Sequence, residues 1–346
     1  MFDHPAFDAH EHLLHSVELD AGMYAILAVH NTARGPALGG LRMQPYATPG
    51  DALTDVLRLS RGMTYKNALA ELPLGGGKSV LIGDPRQDKT PEVFHAVGRA
   101  VEALGGRYIV AEDAGVGVPD VERIGEVTAH VAGTRADNAD DPSPATAWGV
   151  YHGIRAALRH RHGTASLDGV RVAVQGTGNV GRRLCRHLAD AGAELAVADA
   201  DRGAAEAVAA ETGAVVREPG AILAEPADVL APCALGAVLD DTTIPALRCG
   251  IVAGAANNQL AEDRHAAMLA ARGVLYAPDY AINAGGVINL SYRGPAYDRA
   301  AAFAHVERIH DTLLEIFDRA AREGPTTAAA ADRVAESRFA GAETAR

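Results

Sequence analysis

Lys66 and Lys78 stand in an otherwise mostly apolar stretch, Met63–Ser79. Three consecutive glycines, Gly75, Gly76 and Gly77, come just before Lys78. Glycine frees the backbone to turn sharply and to lie against a small molecule, so Lys78 is placed to meet a ligand at close range. A lysine that is buried, or crowded by a second cation, favours its neutral form, and a neutral amine can act as a base. Two such lysines can divide the work: one stays charged to hold a carboxylate and the other moves protons. Plain surface loops also combine glycine with lysine. A phosphate-binding loop fails on spacing, because its first glycine would have to stand at position 72, which is Leu72.

A third group with chemical potential follows the strand-like run Tyr108–Ala111, where Glu112 and Asp113 come at once. Ligands of open α/β sheets bind outside the carboxyl ends of the strands, which is where a catalytic carboxylate would sit. Capping of a turn is the other reading of Asp113.

The second half opens with Val170–Gln175 and runs into Gly176, Thr177, Gly178, Asn179, Val180 and Gly181. A helix-like stretch to Ala191 follows, then a strand Leu195–Val197 and the acid Asp199. This is the dinucleotide-binding fingerprint in its required order of strand, glycine turn, helix, strand and acid. Gly176 allows the turn, Gly178 lets a pyrophosphate approach the backbone, and Gly181 lets the helix pack on the strand. The helix N-terminus offers its unpaired N–H groups to the phosphates. Asp199 follows Gly176 by 23 residues, close to the expected interval for the acid that accepts hydrogen bonds from the adenosine ribose. With Asp201 it would repel a 2′-phosphate, so NAD is expected over NADP, and Arg202 is the one residue that argues the other way. Later strands, Val229–Cys233, Ile251–Gly254 and Val274–Tyr276, each run into small or amide residues (Asn257, Asn258, Asn283) that suit a nicotinamide ring. Loop caps are the alternative use of those amides.

The elements that must position these groups read as two α/β domains. A length of 346 residues suits about two domains. Tyr24–Val29 reads as a strand, followed by a loop in which Gly35-Pro36 and Gly39-Gly40 forbid regular structure and permit a ligand to approach the backbone, so that Gly39 and Gly40 are expected to bind substrate. Between Asp51 and Leu72 the apolar positions suit a helix capped by Asp51, with Met63 and Lys66 one turn apart on a shared face. Val80–Ile82 is a short strand, and Val93, Phe94, Val97, Val101 and Leu104 mark a second amphipathic helix. Pro142 and Pro144 mark the junction ahead of a helix from Ala145 to Arg159. The expected domains are 1–141, binding substrate, and 142–325, a Rossmann domain binding NAD, with a helical tail at 326–346 packing back on the first. Being rich in alanine, that tail is expected to fray.

A net charge of -12 argues against a nucleic-acid partner, which would favour a basic surface. The opening residues lack the pattern of a signal peptide, and no apolar run is long enough to span a bilayer, so a cytoplasmic protein is expected. Cys185, Cys233 and Cys249 form no Cys-x-x-Cys pair and read as buried thiols. His10, His12 and His15 cluster near Glu11 without a metal motif and read as a surface helix.

Taken together, these stretches resemble the amino-acid dehydrogenase family of glutamate, leucine, phenylalanine and valine dehydrogenases. The resemblance rests on Gly35-Pro-Ala-Leu-Gly-Gly, Lys66, Pro73-Leu-Gly-Gly-Gly-Lys78, Glu112-Asp113, Gly176 to Gly181, Ala231-Pro-Cys-Ala234 and Asn283-Ala-Gly-Gly-Val-Ile-Asn289. It extends from about Val29 to Asn289, and within the family the pattern is most similar to the leucine dehydrogenase branch. It implies NAD-dependent, reversible oxidative deamination of an L-amino acid to a 2-oxo acid and ammonia, in a cleft between the two domains of a homo-oligomer. By resemblance Lys66 pairs with the substrate carboxylate, with Asn257 or Asn258 nearby. Asp113 takes a proton from the amine and Lys78 activates the attacking water. Thr146 lies near the nicotinamide amide, and Cys233, Ala234, Ala255 and Asn283 line the cofactor. Members that take glutamate carry a lysine just before the glycine pair Gly39-Gly40, where this chain has Leu38. An unpaired carboxylate against an apolar wall would cost several kcal/mol. Leu38, Met63, Ala111, Val287 and Leu290 are therefore expected to wall a pocket for leucine, valine or isoleucine. Phenylalanine stays open, because one or two small residues decide the depth. Two other classes stay in view: a shikimate-type dehydrogenase, which lacks the second lysine and the glycine triplet, and a non-catalytic NAD sensor, which would not need both lysines and Asp113.

Overall fold

The computed structural model describes residues 2–137, 141–234, 236–324 and 326–343. Contacts divide the chain into two compact units, one of Met1–Asp140, Leu290–Asp298 and Ala335–Arg346, the other of Asp141–Asn289 and Arg299–Val334. The mixed α/β fold has the expected class. Three stretches differ from the expected domain limits: Leu290–Asp298 groups with the first unit, and Asp141 and residues 326–334 group with the second. Residues 325 and 344–346, where expected limits also fall, lie outside the described residues.

The first unit is built on a five-stranded sheet in the order β1-β2-β4-β3-β5. The strands are β1 (His12–Glu18), β2 (Met23–Asn31), β3 (Ala37–Gln44), β4 (Gly75–Ile82) and β5 (Tyr108–Glu112). Strand β2 runs antiparallel to β1 and β4, while β3 runs parallel to both β4 and β5. Helix α1 (Pro49–Leu69) covers one face; α2 (Pro91–Glu102) and α3 (Val118–Gly125) cover the other. The period of two in β2 shows why both faces are apolar. Met23, Ala25, Leu27 and Val29 enter the core under α2 and α3, and the intervening Ile26 and Ala28 pack beneath α1 with Val56, Leu57 and Val80.

Several local expectations are corrected here. Helix α1 is capped by Thr48, not Asp51. Its hydroxyl accepts from Asp51 N–H at 3.1 Å while Asp51 accepts from Thr48 N–H at 3.0 Å, and Pro49 sits in the first turn. Gly39 and Gly40 lie inside β3 instead of breaking it, and the triplet Gly75–Gly77 begins β4 instead of forming a turn. The histidine cluster is no surface helix: His12 and His15 are in β1, and His10 is buried, its Nε2 3.0 Å from Ser60 Oγ and from Leu57 O.

The second unit begins with α4 (Ser143–His162) and holds a six-stranded sheet, β11-β10-β9-β6-β7-β8, with every neighbouring pair parallel. Its elements run β6 (Arg171–Gln175), α5 (Asn179–Asp190), β7 (Glu194–Ala198), α6 (Arg202–Thr212), β8 (Val215–Val216), β9 (Val229–Pro232), α7 (Thr243–Ala246), β10 (Ile251–Val252), α8 (His265–Ala271) and β11 (Leu275–Tyr276). The order reverses between β6 and β9, the doubly wound arrangement of a Rossmann domain. Next come α9 (Asp279–Ile282), α10 (Gly285–Ser291), α11 (Arg299–Glu307), α12 (Ile309–Glu323) and α13 (Thr327–Glu343).

The alanine-rich tail does not fray among its described residues. Its small side chains allow close packing, so Ala330, Ala331, Val334 and Ala335 are fully buried. Tyr280 donates its hydroxyl to Asp332 at 2.6 Å, and Arg338 donates to Leu69 O at 2.7 Å. All three cysteines are free; Cys185 is buried, and Cys233 and Cys249 are half-buried. Among the described residues no helix is long and apolar enough to cross a membrane.

Candidate active site

The pleat of the first sheet decides which side chains can meet. Ala37, Leu41 and Met43 of β3 and Tyr108 and Val110 of β5 enter the core under α2. The alternate positions Leu38, Gly40, Arg42 and Ala111 therefore face α1, as does Asp113 just past β5. In β4 the same alternation turns Gly76, Lys78 and Val80 toward α1, because Gly77 lies against the Tyr108 ring and Leu81 is in the opposite core. Lys66 and Met63 are on α1 itself, half-buried.

On this face Lys78 Nζ lies 2.7 Å from Asp113 Oδ2. The lysine is 6% exposed. Burial is the main cause that holds its ammonium below the ordinary lysine value; Asp113 opposes the shift and Arg42 adds to it. Burial pushes the Asp113 carboxyl up, but Lys78 and Arg42 outweigh it and hold that group below its ordinary value. A buried amine with a lowered pKa against an ionised carboxylate can exchange protons with a bound substrate. Asp113 also closes a turn, its carbonyl accepting from Val116 N–H at 2.9 Å.

The glycines shape this site through close packing. A Cβ on Gly76 would lie 2.0 Å from the backbone nitrogen of Thr64, and one on Gly77 would meet the Tyr108 ring at 2.7 Å. In β3, a Cβ on Gly39 would lie 1.7 Å from Gly77 O, and one on Gly40 would lie 2.7 Å from Asp113 Cβ. Their absence lets α1 sit down on β4 and lets Asp113 approach the sheet. Asn67 adds a tie, donating to Gly75 O at 2.6 Å.

Sequence reasoning missed the groups behind the pair. Arg42 Nε reaches Asp113 Oδ2 at 3.1 Å and its Nη1 reaches Asp55 Oδ2 at 3.2 Å, while Tyr46 donates its hydroxyl to the same Asp55 oxygen at 2.6 Å. Beneath the sheet, Tyr108 donates to Gly39 O at 2.9 Å and bonds Ser79 Oγ at 2.9 Å. One signal was available: Arg42 follows Gly40 by two residues, on the same strand face.

Of the expected apolar wall, Leu38 is 1% exposed, between Gly76 and Ile109 of the flanking strands. Ala111 is buried on the same face. Leu290 belongs to the first unit, with its Cδ1 beside Gly133, whereas Val287 belongs to the second. Asn257 and Asn258 both lie in the second unit and are exposed, Asn258 with a φ of 51°.

In the second unit the glycine turn has the form a dinucleotide needs. Gly176 has a φ of 96°, and a Cβ there would lie 2.8 Å from Ala234 N. A Cβ on Gly181 would lie 1.9 Å from Gly176 O, so α5 packs closely on the turn. At Gly178 an added Cβ would meet nothing within 4 Å, so the backbone at the head of α5 is open to a phosphate. Asp199 stands at the end of β7, its Oδ2 accepting from Thr177 N–H at 2.6 Å and its Oδ1 from Asp201 N–H at 2.9 Å. Thus it braces the glycine turn. At the ends of β10 and β11, Asn283 donates to Ala255 O at 3.1 Å and to Asn257 Oδ1 at 2.7 Å, while its own Oδ1 is buried without a partner. Thr146 lies beside Gly286, where an added Cβ would be 3.0 Å from its hydroxyl. Glycine turn, acid and orphaned amide together fit a nicotinamide dinucleotide.

The family models agree with both halves. Residues 12–130 match "Glu/Leu/Phe/Val dehydrogenase, dimerisation domain", and residues 140–214 and 197–345 match "Glutamate/Leucine/Phenylalanine/Valine dehydrogenase". The chain belongs to this family. The dehydrogenase is 48% identical to leucine dehydrogenase of Thermoactinomyces intermedius, over 98% of its own length and 93% of that protein. It is 44% identical to valine dehydrogenase of Streptomyces virginiae, over 96% and 94% of the two chains. Among solved structures, L-tryptophan dehydrogenase from Nostoc punctiforme superposes with a TM-score of 0.88 at 45% identity, covering 97% of each chain. As an amino-acid dehydrogenase the protein is an oxidoreductase with a nicotinamide cofactor.

Proposed function

We propose that this dehydrogenase catalyses the NAD-dependent, reversible oxidative deamination of a branched-chain L-amino acid, leucine, valine or isoleucine, to the 2-oxo acid and ammonia. The observation that carries the reading is the Lys78–Asp113 contact of 2.7 Å on the sheet face that α1 and Lys66 also occupy. In this reading Lys66 stays charged and holds the substrate carboxylate, with an asparagine of the 257–258 pair beside it. Asp113 takes a proton from the substrate amine, which frees the nitrogen lone pair. Bound nicotinamide supplies the acceptor for the hydride that leaves Cα. Lys78, with its lowered pKa, then takes a proton from the water that attacks the substrate iminium, and the same group returns a proton when ammonia leaves.

Gly176 to Gly181 and the head of α5 would hold the pyrophosphate, Asp199 the adenosine ribose, and Thr146, Cys233, Ala234, Ala255 and Asn283 the nicotinamide end. The acids Asp199, at the end of β7, and Asp201, which caps α6, favour NAD over NADP in this reading, since they would repel a 2′-phosphate. Arg202, which argued the other way, is engaged by Glu206 and Glu218 at 2.9 Å each, so its charge is already paired. Leu38, Met63, Ala111, Val287 and Leu290 would contact the substrate side chain. An aromatic substrate is the second reading, favoured by the small side chains at Ala111 and Gly133 and by the L-tryptophan dehydrogenase relative. We also propose a cytoplasmic homo-oligomer, in line with the free cysteines and the dimerisation-domain match.

The deciding experiment is NADH formation over a panel of L-amino acids, repeated with NADP. Fastest turnover with leucine, valine or isoleucine and NAD supports the proposal. Fastest turnover with phenylalanine or tryptophan selects the second reading, and NAD binding without turnover on any amino acid would make the protein a sensor.

A further inference from the structure

Behind Asp113 the structure builds a chain of alternating charge that the reaction as described does not use. Lys78 Nζ and Arg42 Nε both reach Asp113 Oδ2, at 2.7 and 3.1 Å, and the carboxylate also accepts from the Ala114 N–H. Arg42 Nη1 spans to Asp55 at 3.2 Å, and the Tyr46 hydroxyl closes the far side of Asp55 at 2.6 Å. The Arg42 and Asp55 side chains are only 22% and 26% exposed. The parts come from separate elements: Arg42 from β3, Tyr46 from the turn after it, Asp55 from α1, Lys78 from β4 and Asp113 from the end of β5. A planar guanidinium serves two carboxylates from separate nitrogens held in one rigid fork, whereas an ammonium offers its donors from a single point on a flexible stem.

We propose that Arg42, held in place by Asp55 and Tyr46, is a positioning residue for proton transfer: it pins the Asp113 carboxylate beside Lys78 in a fixed orientation and sets the charge that the pair experiences. This rests on the assignment of Lys78 and Asp113 to proton transfer. Arg42 acts on the two groups with the same sign, because a neighbouring cation favours both the neutral lysine and the ionised aspartate. Asp55 acts on both with the opposite sign. Other titratable groups near the pair are Lys66 on the helix α1 that covers this face, Glu112 next to Asp113 in sequence, and Tyr108 across the sheet, whose phenol burial pushes up so that it stays neutral. Because Lys78 and Asp113 are coupled, the measurable quantity is the apparent pKa of the pair.

The test is the pH dependence of kcat/KM for oxidative deamination, whose acid limb reports the free enzyme. Arg42→Gln removes the cation and should move the acid limb to higher pH by about one unit or more. Asp55→Asn removes the anion while keeping its shape, and should move the limb to lower pH by about half a unit. Arg42→Lys keeps the charge but loses the fork; its limb should stay near that of the wild type while kcat falls about tenfold or more. A merely structural role predicts no such opposition of sign. Unmoved acid limbs, or Arg42→Gln and Asp55→Asn moving the same way, would overturn the proposal. Should Arg42→Gln fail to fold, Asp55→Asn decides alone: a shift to lower pH supports the proposal, and no shift or the opposite one overturns it. Lys78→Ala and Asp113→Asn separate this inference from its foundation. Wild-type turnover in either removes the assignment of the pair itself. Lost turnover there, with unmoved limbs in the Arg42 and Asp55 variants, overturns the positioning role alone.

Discussion

At the scale of single residues, Lys78 is the sharpest test of mechanism. Lys78→Ala should lower kcat by about a hundredfold or more, the range of a general base, while NAD binding measured by fluorescence stays intact. The fingerprint belongs to the other compact unit, so a parallel loss of NAD binding would point to misfolding instead. Leu38 tests the substrate. Leu38→Lys would place a cation at a position only 1% exposed, and should weaken leucine use by about 1 to 3 kcal/mol while glutamate loses less or gains. The ratio of kcat/KM for the two substrates is the measurement; an unchanged ratio removes Leu38 from the pocket. Asp199→Ser should raise the use of NADP relative to NAD. Because Asp199 also accepts from Thr177 N–H at 2.6 Å, the same change should weaken both cofactors by loosening the glycine turn.

Two glycines of like composition and unlike surroundings are the test at the scale of elements. A Cβ at Gly76 would lie 2.0 Å from the Thr64 backbone, with no flexible group to yield, so Gly76→Ala must push α1 away from β4. That helix carries Lys66 and Asp55, and the variant should lose several kcal/mol of stability, on the scale of overpacking with a backbone shift, together with most of its activity. Gly62 lies inside α1 with nothing within 4 Å of an added Cβ. Gly62→Ala should raise stability by about 0.5 to 1 kcal/mol through helix propensity and leave turnover unchanged. Chemical denaturation of both variants checks the contrast. Equal effects would mean that the α1–β4 contact does not depend on Gly76.

For the whole molecule, buried histidines set the response to acid. In the first unit burial, helped by the neighbouring His10, pushes His30 down to about 4 from an ordinary value of 6.5. In the second, burial does the same to His152, also to about 4. Between those values the unfolded chain binds a proton that the folded chain refuses, so the stability from each neutral imidazole is complete above pH 6.5 and is lost as pH falls toward 4. Each loss should amount to roughly 3 kcal/mol. Thermal melts through that window should show a steep fall in Tm, and His30→Gln, which keeps a partner for the Thr64 hydroxyl at 2.8 Å, should flatten part of it. A Tm independent of pH across the window would contradict both buried imidazoles.

By itself the sequence determined what depends on order along the chain. The Rossmann unit was legible because glycine turn, helix and acid follow one another at fixed intervals, and α1 and α2 because apolar residues recur at the helical period. The types Lys78, Asp113 and Lys66 were enough to suggest the chemistry proposed above. Tertiary structure decided what those residues touch. Strand β4 was visible only as Val80–Ile82, because glycine carries no β signal of its own, and its first residues become a strand only when α1 and Tyr108 pack against them. The same packing turned the glycines from a ligand-binding turn into the seat of a helix. The pairing of Arg42 with Asp55 carried no mark in the sequence, since a loop and the first turns of α1 separate them. They meet because α1 lies across β3 and β4, which brings a carboxylate from the helix to a guanidinium on the strand and places both behind Asp113.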